Sequence, residues 1–383
     1  MTQPGFFDVD ERLAALSAAG DPLERLTAVV DFALFRPVLD GALVRSDRSR
    51  GGRPPYDPVL MFKILVLQAL YSLSDDAAEF QIRDRLSFMR FLGLSLGDRA
   101  PDAKTIWLFR EQLVRAGAMD KLFESFDAAL HGAGYLAMGG QIIDATVIAA
   151  PRQKLTEEEK AVIRTGDTPS GWSMAKRRQK DLDARWTIKR GRSKRSDISD
   201  MEAVGVEIAV PVFGYKNHAG IDRRHGFIRR WTVTSAAAHD SRPFEDLLDP
   251  ANTASTVWAD TAYRSGRNEA AMAQRGLVSK VHFRKPKGKA LPTRHALANA
   301  VRSTVRVAIE HVFAGEKHRM KLFVRTVGLA RAKVKIGMAN LAYNLWTPPA
   351  QGASVFRRHW MHKSIRPTFG AVTLLAMMGI RCL

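Results

Sequence analysis

The chain has 383 residues, 46% of them hydrophobic, with 59 Lys plus Arg against 39 Asp plus Glu and a formal charge of +20. That apolar fraction is too high for a disordered chain, and the length suits about two to three domains with cores of their own. The single cysteine, Cys382, excludes a disulfide scaffold and cysteine-bound zinc. The N-terminus, MTQPGFFDVDER, carries acids where a signal peptide needs a basic start and an apolar run. The longest apolar stretch, 59–73, contains Lys63 and is too short to span a bilayer, so a cytoplasmic, soluble protein with no membrane partner is expected.

The charge is unevenly placed. Residues 1–130 carry 16 basic and 19 acidic side chains, a net of −3, so the remaining 253 residues carry a net of +23. A field of that size and asymmetry predicts a polyanionic partner, nucleic acid first.

Residues 1–130 read as helices. Short helices are expected around 13–16 and 23–30, the second opened by Asp21-Pro22, an N-cap followed by proline at the first helical position. A basic linker covers 45–53. Asp57-Pro58 opens the apolar helix 59–73. Ser74 caps a helix with Ala78, Ile82 and Leu86 four residues apart, and Pro101-Asp102 starts another through Thr105, Phe109 and Leu113, its exposed start bearing Lys104, Thr105 and Arg110. Such helices form either an ordinary bundle or a helix-turn-helix that enters a DNA groove.

From 139 onward the pattern changes. Strands are expected at 141–150, 227–235, 256–261 and 278–284, and helices near 242, at 267–275 and at 296–319. This mixture predicts an α/β domain built on a mixed sheet. Between them, 152–213 reads as a basic insertion. It begins with a charged helical stretch at 154–160, and 171–196 holds ten Lys/Arg against two Asp. Trp172 and Trp186 in this segment either stack on bases or pack locally.

Three carboxylates stand out. Asp144 interrupts the run IIDATVI, which is apolar on both faces and so belongs to a central strand, where an ionised carboxylate is costly unless paired or metal-bound. Asp260 ends the strand TVWAD, the position at which open α/β sheets gather functional groups. Glu310 lies in the 296–319 helix, where Ser303, Arg306, Glu310 and Lys317 fall within about 60° of one another and Val301, Val305, Ala308 and Val312 centre on the opposite, core-forming side. Acidic oxygens on a sheet and a neighbouring helix are the ligands that Mg²⁺ or Mn²⁺ prefers. Two such ions can activate a water or a 3′-hydroxyl at a phosphodiester.

These residues carry a resemblance. The chain resembles bacterial insertion-sequence transposases of the DDE type, specifically the insertion sequence 5 group, over about residues 5–345. The three acids are Asp144 in IIDATVI, Asp260 in VWADTAYRS and Glu310 in RVAIEHVFAGEK, where Arg306, Glu310 and Lys317 reproduce the family's Arg, three residues, Glu, six residues, Lys spacing. KDLDARWT, FGYKNHAGIDRRHGFIRRW and PDAKTIWLFREQL are similar to the group as well. The resemblance implies a ribonuclease-H-like catalytic domain over 137–346 with the basic insertion inside it, preceded by a helical domain over 1–130. It further implies a two-metal site of Asp144, Asp260 and Glu310, cleavage at the terminal inverted repeats of an element and joining of its 3′ ends to target DNA, by a homodimer that pairs two ends. Arg306 and Lys317 are expected on the phosphates, and Lys216, Arg223, Arg224, Arg229 and Arg230 along the flanking DNA track. Ser303 stands where the family places a tyrosine, and the tail 347–383 has no familiar continuation and reads as frameshifted. A nuclease that cuts without joining, or an inactive DNA-binding remnant, are the alternatives.

Overall fold

The structure is a computed structural model in which residues 7–43, 54–193 and 206–347 are described; the basic linker at 45–53 and the tail beyond 347 lie outside them. Among the described residues α-helices come first: α1 (Asp8–Ala18), α2 (Pro22–Val29), α3 (Arg36–Ala42), α4 (Pro58–Tyr71), α5 (Asp75–Asp84), α6 (Leu86–Leu92), α7 (Ala103–Ala116) and α8 (Met119–Gly132). Several start where their caps predict. The carboxylates of Asp21, Asp57 and Asp102 and the hydroxyl of Ser74 accept first-turn amides of α2, α4, α7 and α5, filling donors a helix start otherwise leaves open. Helix α4 is apolar and buried around most of its circumference, the mark of a core helix. Arg110 does not lie exposed as expected, because both its terminal nitrogens are held 2.7 Å from the carboxylate of Asp75.

The sheet follows. Its strands are β1 (Gln141–Ala149), β2 (Arg185–Ser193), β3 (Val206–Asp222), β4 (Ile228–Ser235), β5 (Thr256–Ala259) and β6 (Val278–Ser279). They lie in the order β2-β3-β1-β5-β6, with β4 on β3. Strand β1 pairs antiparallel with β3 and parallel with β5, and β5 pairs parallel with β6. This mixed arrangement is consistent with a ribonuclease-H-like fold. Gly140 leads into β1 at φ +91°, and a Cβ there would fall 2.5 Å from the Trp258 ring, so the entry to the central strand requires glycine.

The segment expected as an insertion contains α9 (Glu157–Arg164), opened by a Thr156/Glu159 capping box, and the short α10 (Met174–Gln179). Two stretches of it join the sheet, since β2 pairs with residues 206–214 of β3. Trp172 packs locally, its indole N–H donating to Glu159 at 2.7 Å, whereas Trp186 stays 44% exposed with Arg152 over its ring. The strand expected at 278–284 is only two residues long, and in place of a helix near 242 there is one 3₁₀ turn, Glu245–Leu247.

Helices α11 (Gly266–Gln274), α12 (Thr293–Ala314) and α13 (Leu329–Trp346) complete the fold. Helix α13 packs between the sheet and the N-terminal helices, touching α4, α7 and α8 on one side and β4 on the other. One hydrophobic core therefore runs from Leu23 and Phe62 through Ile336 and Leu341 to Ile142 and Ile148 on one face of β1. The opposite face of the sheet has its own smaller core around Ile143, Phe244 and Tyr263. No single helix among the described residues is long and apolar enough to cross a membrane.

Candidate active site

Alternation along β1 sends Ile142, Asp144, Thr146 and Ile148 to one face of the sheet, that of the larger core. Parallel pairing sets Ile143 of β1 beside Ala259 of β5, so Asp144 and Asp260 each follow one residue after this pair on adjacent strands. Helix α12 crosses these strands and brings Arg306 down between the two acids. Its guanidinium donates to Asp144 at 2.6 Å and lies 3.8 Å from Asp260. Asp144 is the deeper of the two, with 18% of its side chain exposed against 43% for Asp260. Burial pushes the Asp144 carboxyl above its ordinary range, and Arg306 pulls it back down. An amide donation from Ala145 also favours the charged form, at 2.8 Å.

Past Ala314 the helix widens into a π-turn, Gly315–Arg319. That turn directs Lys317 to the hydroxyl of Thr146, two residues beyond Asp144 on the same face of β1. Burial and the field of Lys189 lower the Lys317 ammonium below its usual range. The turn also buries Glu316 fully. Asn217 of β3 donates to both oxygens of Glu316 at 3.3 and 3.1 Å and is itself joined to Asn340 of α13. Burial raises the Glu316 carboxyl to about 8, which keeps it protonated at neutral pH.

Other polar groups close the pocket. His282 follows β6, with its Nδ1 3.7 Å from Asp260 and its Nε2 3.5 Å from the hydroxyl of Ser303. The buried Tyr263 hydroxyl and Arg306 Nε have no hydrogen-bond partner among the described residues. Both carboxylates raise the Tyr263 phenol further above its ordinary range, after burial. His282 and Tyr263 were not singled out in the sequence as site residues. The only signals were that Tyr263 lies in the DTAY run and His282 in the short apolar segment behind Asp260.

The core-facing side of α12 is largely the expected one. Ile309, Val312 and Phe313 are buried with Val305 and Ala308 packed beside them, while Val301 is 69% exposed. Arg306 also faces the sheet and Glu310, one turn further on, is exposed. Glu310 is not gathered with the two aspartates. Among the described residues, no group of three or more His, Cys, Asp or Glu side chains is placed to hold a metal ion. The donor chemistry of the two aspartates still fits a hard cation. They are oxygen ligands converging on one positive group, and unpaired polar atoms surround them.

The residues expected along the DNA track do not share this location. Arg229 is buried, donating to Asp222 at 2.9 Å, to Asp127 at 2.7 Å and to the carbonyl of Tyr135. Lys216 and Arg230 pair across β3 and β1 with positions facing away from Asp144, and they are held by Asp240 and Asp249. Arg223 and Arg224 are exposed, but they sit in the β3–β4 turn beside Gly139 and Gly140, at the end of β1 that leads away from Thr146. Only Arg306 and Lys317 of the expected phosphate contacts reach the site.

Two family models match the chain. Residues 209–345 match the family model described as Transposase DDE domain, and residues 11–112 match the Transposase domain (DUF772). The first match contains Asp260, Arg306, Glu310 and Lys317, and Asp144 joins them through Arg306. No solved structure matches the chain. Together the two matches support a DDE-type transposase.

Proposed function

We propose that this DDE-type transposase is of the insertion sequence 5 group and acts on an element's terminal inverted repeats, cutting DNA at the element ends and joining the 3′-hydroxyls to target DNA. The observation that carries the proposal is the convergence of Asp144 and Asp260, from adjacent parallel strands, on Arg306 of α12. The catalytic core is a ribonuclease-H-like domain over 137–346, the helical region 1–130 precedes it, and a homodimer in the bacterial cytoplasm pairs the two ends.

Asp144 and Asp260 would hold Mg²⁺, or Mn²⁺ in its place, with Glu310, which stands apart from them in this structure, as the third carboxylate the resemblance implies; the ion would supply Lewis-acid activation of the attacking oxygen and stabilise the leaving one. The chain's own groups do the rest. Arg306 balances the charge of the two aspartates and stands beside them to contact a phosphate. Lys317, with a lowered pKa and anchored by Thr146, holds a non-bridging phosphate oxygen beside β1. The buried surroundings of Asp144 strengthen these interactions, so positioning and charge stabilisation supply most of the rate.

The chemistry is tested with labelled duplexes from the DNA flanking the gene, incubated with the full chain, Mg²⁺ and a supercoiled plasmid. Joined products on the plasmid are expected. Cut ends without joined products would instead support the alternative, a nuclease of the same fold, and binding without cutting would support an inactive remnant.

A further inference from the structure

Between β6 and α12 runs a strongly basic loop. Residues 284–294, which take in the first two residues of α12, hold Arg284, Lys285, Lys287, Lys289 and Arg294 and no acid. All five are exposed, and none takes part in an ion pair among the described residues. Elsewhere in the fold many cations are neutralised, as Arg110, Arg229 and Arg331 are. An unpaired cluster repels itself and is costly to hold together unless an anion shares it.

The ends of the loop are clasped. Asn299 of α12 accepts the amide of Phe283 at 2.8 Å and donates to its carbonyl at 3.0 Å. The Phe283 ring stacks on His295 at 4.0 Å between centroids, with the guanidiniums of Arg302 and Arg264 over it at 4.2 and 4.7 Å. Those two arginines also donate to the carbonyls of Val281 and His282. Helix α12 begins at this clasp with no side-chain cap and no acid in its first turn, so the positive end of its dipole adds to the field. The base of the loop is one residue from His282, which lies 3.7 Å from Asp260.

We infer that the 284–294 loop is the surface that grips the phosphate backbone of duplex DNA next to the cleaved bond, in the place sequence reading gave to Arg223, Arg224, Arg229 and Arg230. The inference rests on the transposase reading of the neighbouring pocket. Eleven residues that go out and return extend on the order of 15 Å. That is roughly half a turn of B-DNA, enough to follow one strand's phosphates away from the active site. The contact is electrostatic and independent of sequence, and it leaves recognition of the terminal repeat to other parts of the chain.

The test is binding of the full chain, in EDTA, to a labelled duplex from the DNA flanking the gene and to an unrelated duplex, across a salt series. The variants are the exposed quadruple Arg284→Gln/Lys285→Gln/Lys287→Gln/Lys289→Gln and, should that one fold poorly by circular dichroism, the double Lys287→Gln/Lys289→Gln. Each lost phosphate contact lowers the slope of log K against log salt by about 0.9. The quadruple variant is expected to lose about two to four units of slope on both duplexes, and the double variant about one to two. Unchanged slopes would overturn the inference, as would loop-dependent binding to anionic vesicles with none to DNA. Cleavage by the wild-type chain in Mg²⁺ is scored separately. Loop-dependent binding without cleavage would sink the transposase reading and leave the surface standing, whereas cleavage with unchanged slopes would sink the surface alone.

Discussion

Arg229 keeps its charge inside the protein. Its side chain is 2% exposed and its partner Asp222 is fully buried, so removing the guanidinium leaves an unpaired carboxylate in the core. Arg229→Ala is expected to destabilise the fold by about 3–5 kcal/mol, read as a lower midpoint in urea, where a DNA-contact role predicts unchanged stability and weaker binding. Glu316 makes a prediction in pH. Its carboxyl is raised from 4.5 to about 8 in the folded protein, so the native state binds more protons than the unfolded chain between those values. The stability this contributes is fully present below about pH 4.5 and is lost as pH rises through about 8. Thermal midpoints measured from pH 5 to 9 should fall with rising pH, and Glu316→Gln, which stays neutral and can still accept from Asn217, should flatten that fall. Equal slopes for the two proteins would rule out a buried, protonated Glu316.

Among the elements, α13 is the one on which the others depend. Gly337 lies against both sides of it: a Cβ there would stand 2.6 Å from Met119 Cγ and 2.6 Å from the Trp231 ring. Gly337→Ala should therefore cost about 1–3 kcal/mol of stability by overpacking, despite the better helix propensity of alanine. Calorimetry would check this, and a stabilised variant would show that the contact yields. Sequence patterns did not reveal α13, because its buried residues run around most of its circumference and leave no amphipathic stripe. Strand β1 was legible for the complementary reason, since an apolar run on both faces suits a strand flanked by neighbours. Apolar patterning alone did not reveal strand β3, where Pro211, Gly214 and the polar run Lys216, Asn217 and His218 break any apolar rhythm; only the resemblance pointed to a strand region there. Asn217 and His218 are buried by partners from β4, α13 and the π-turn, which no local pattern encodes. The inner face of α12 was legible in part: Val305, Ala308 and Val312 pack on the core, but that side also takes in Arg306, and Val301 lies outside it.

For the molecule as a whole, two arrangements of charge stand out among the described residues. One is internal: arginines paired with aspartates and glutamates, which lock the helical layer, α13 and the sheet together. The other is the unpaired cluster beside an acidic pocket, where a positive field can hold a polyanion while two aspartates wait for the cation that neutralises them. Asp144, Asp260, Arg306 and Lys317 were readable from type and spacing, and the fold brings these four together. Glu310 stands exposed on α12 apart from the two aspartates, and the residues expected along the DNA track lie elsewhere, because the face each side chain takes is decided only when strands and helices pack. The most direct test of the central claim is cleavage of labelled duplexes from the DNA flanking the gene, with and without Mg²⁺, by the wild type, Asp144→Ala, Asp260→Ala and Glu310→Ala. The account predicts Mg²⁺-dependent cutting by the wild type and at least about a hundredfold loss in each variant, with DNA binding retained. Undiminished cutting by Asp144→Ala or Asp260→Ala would contradict it.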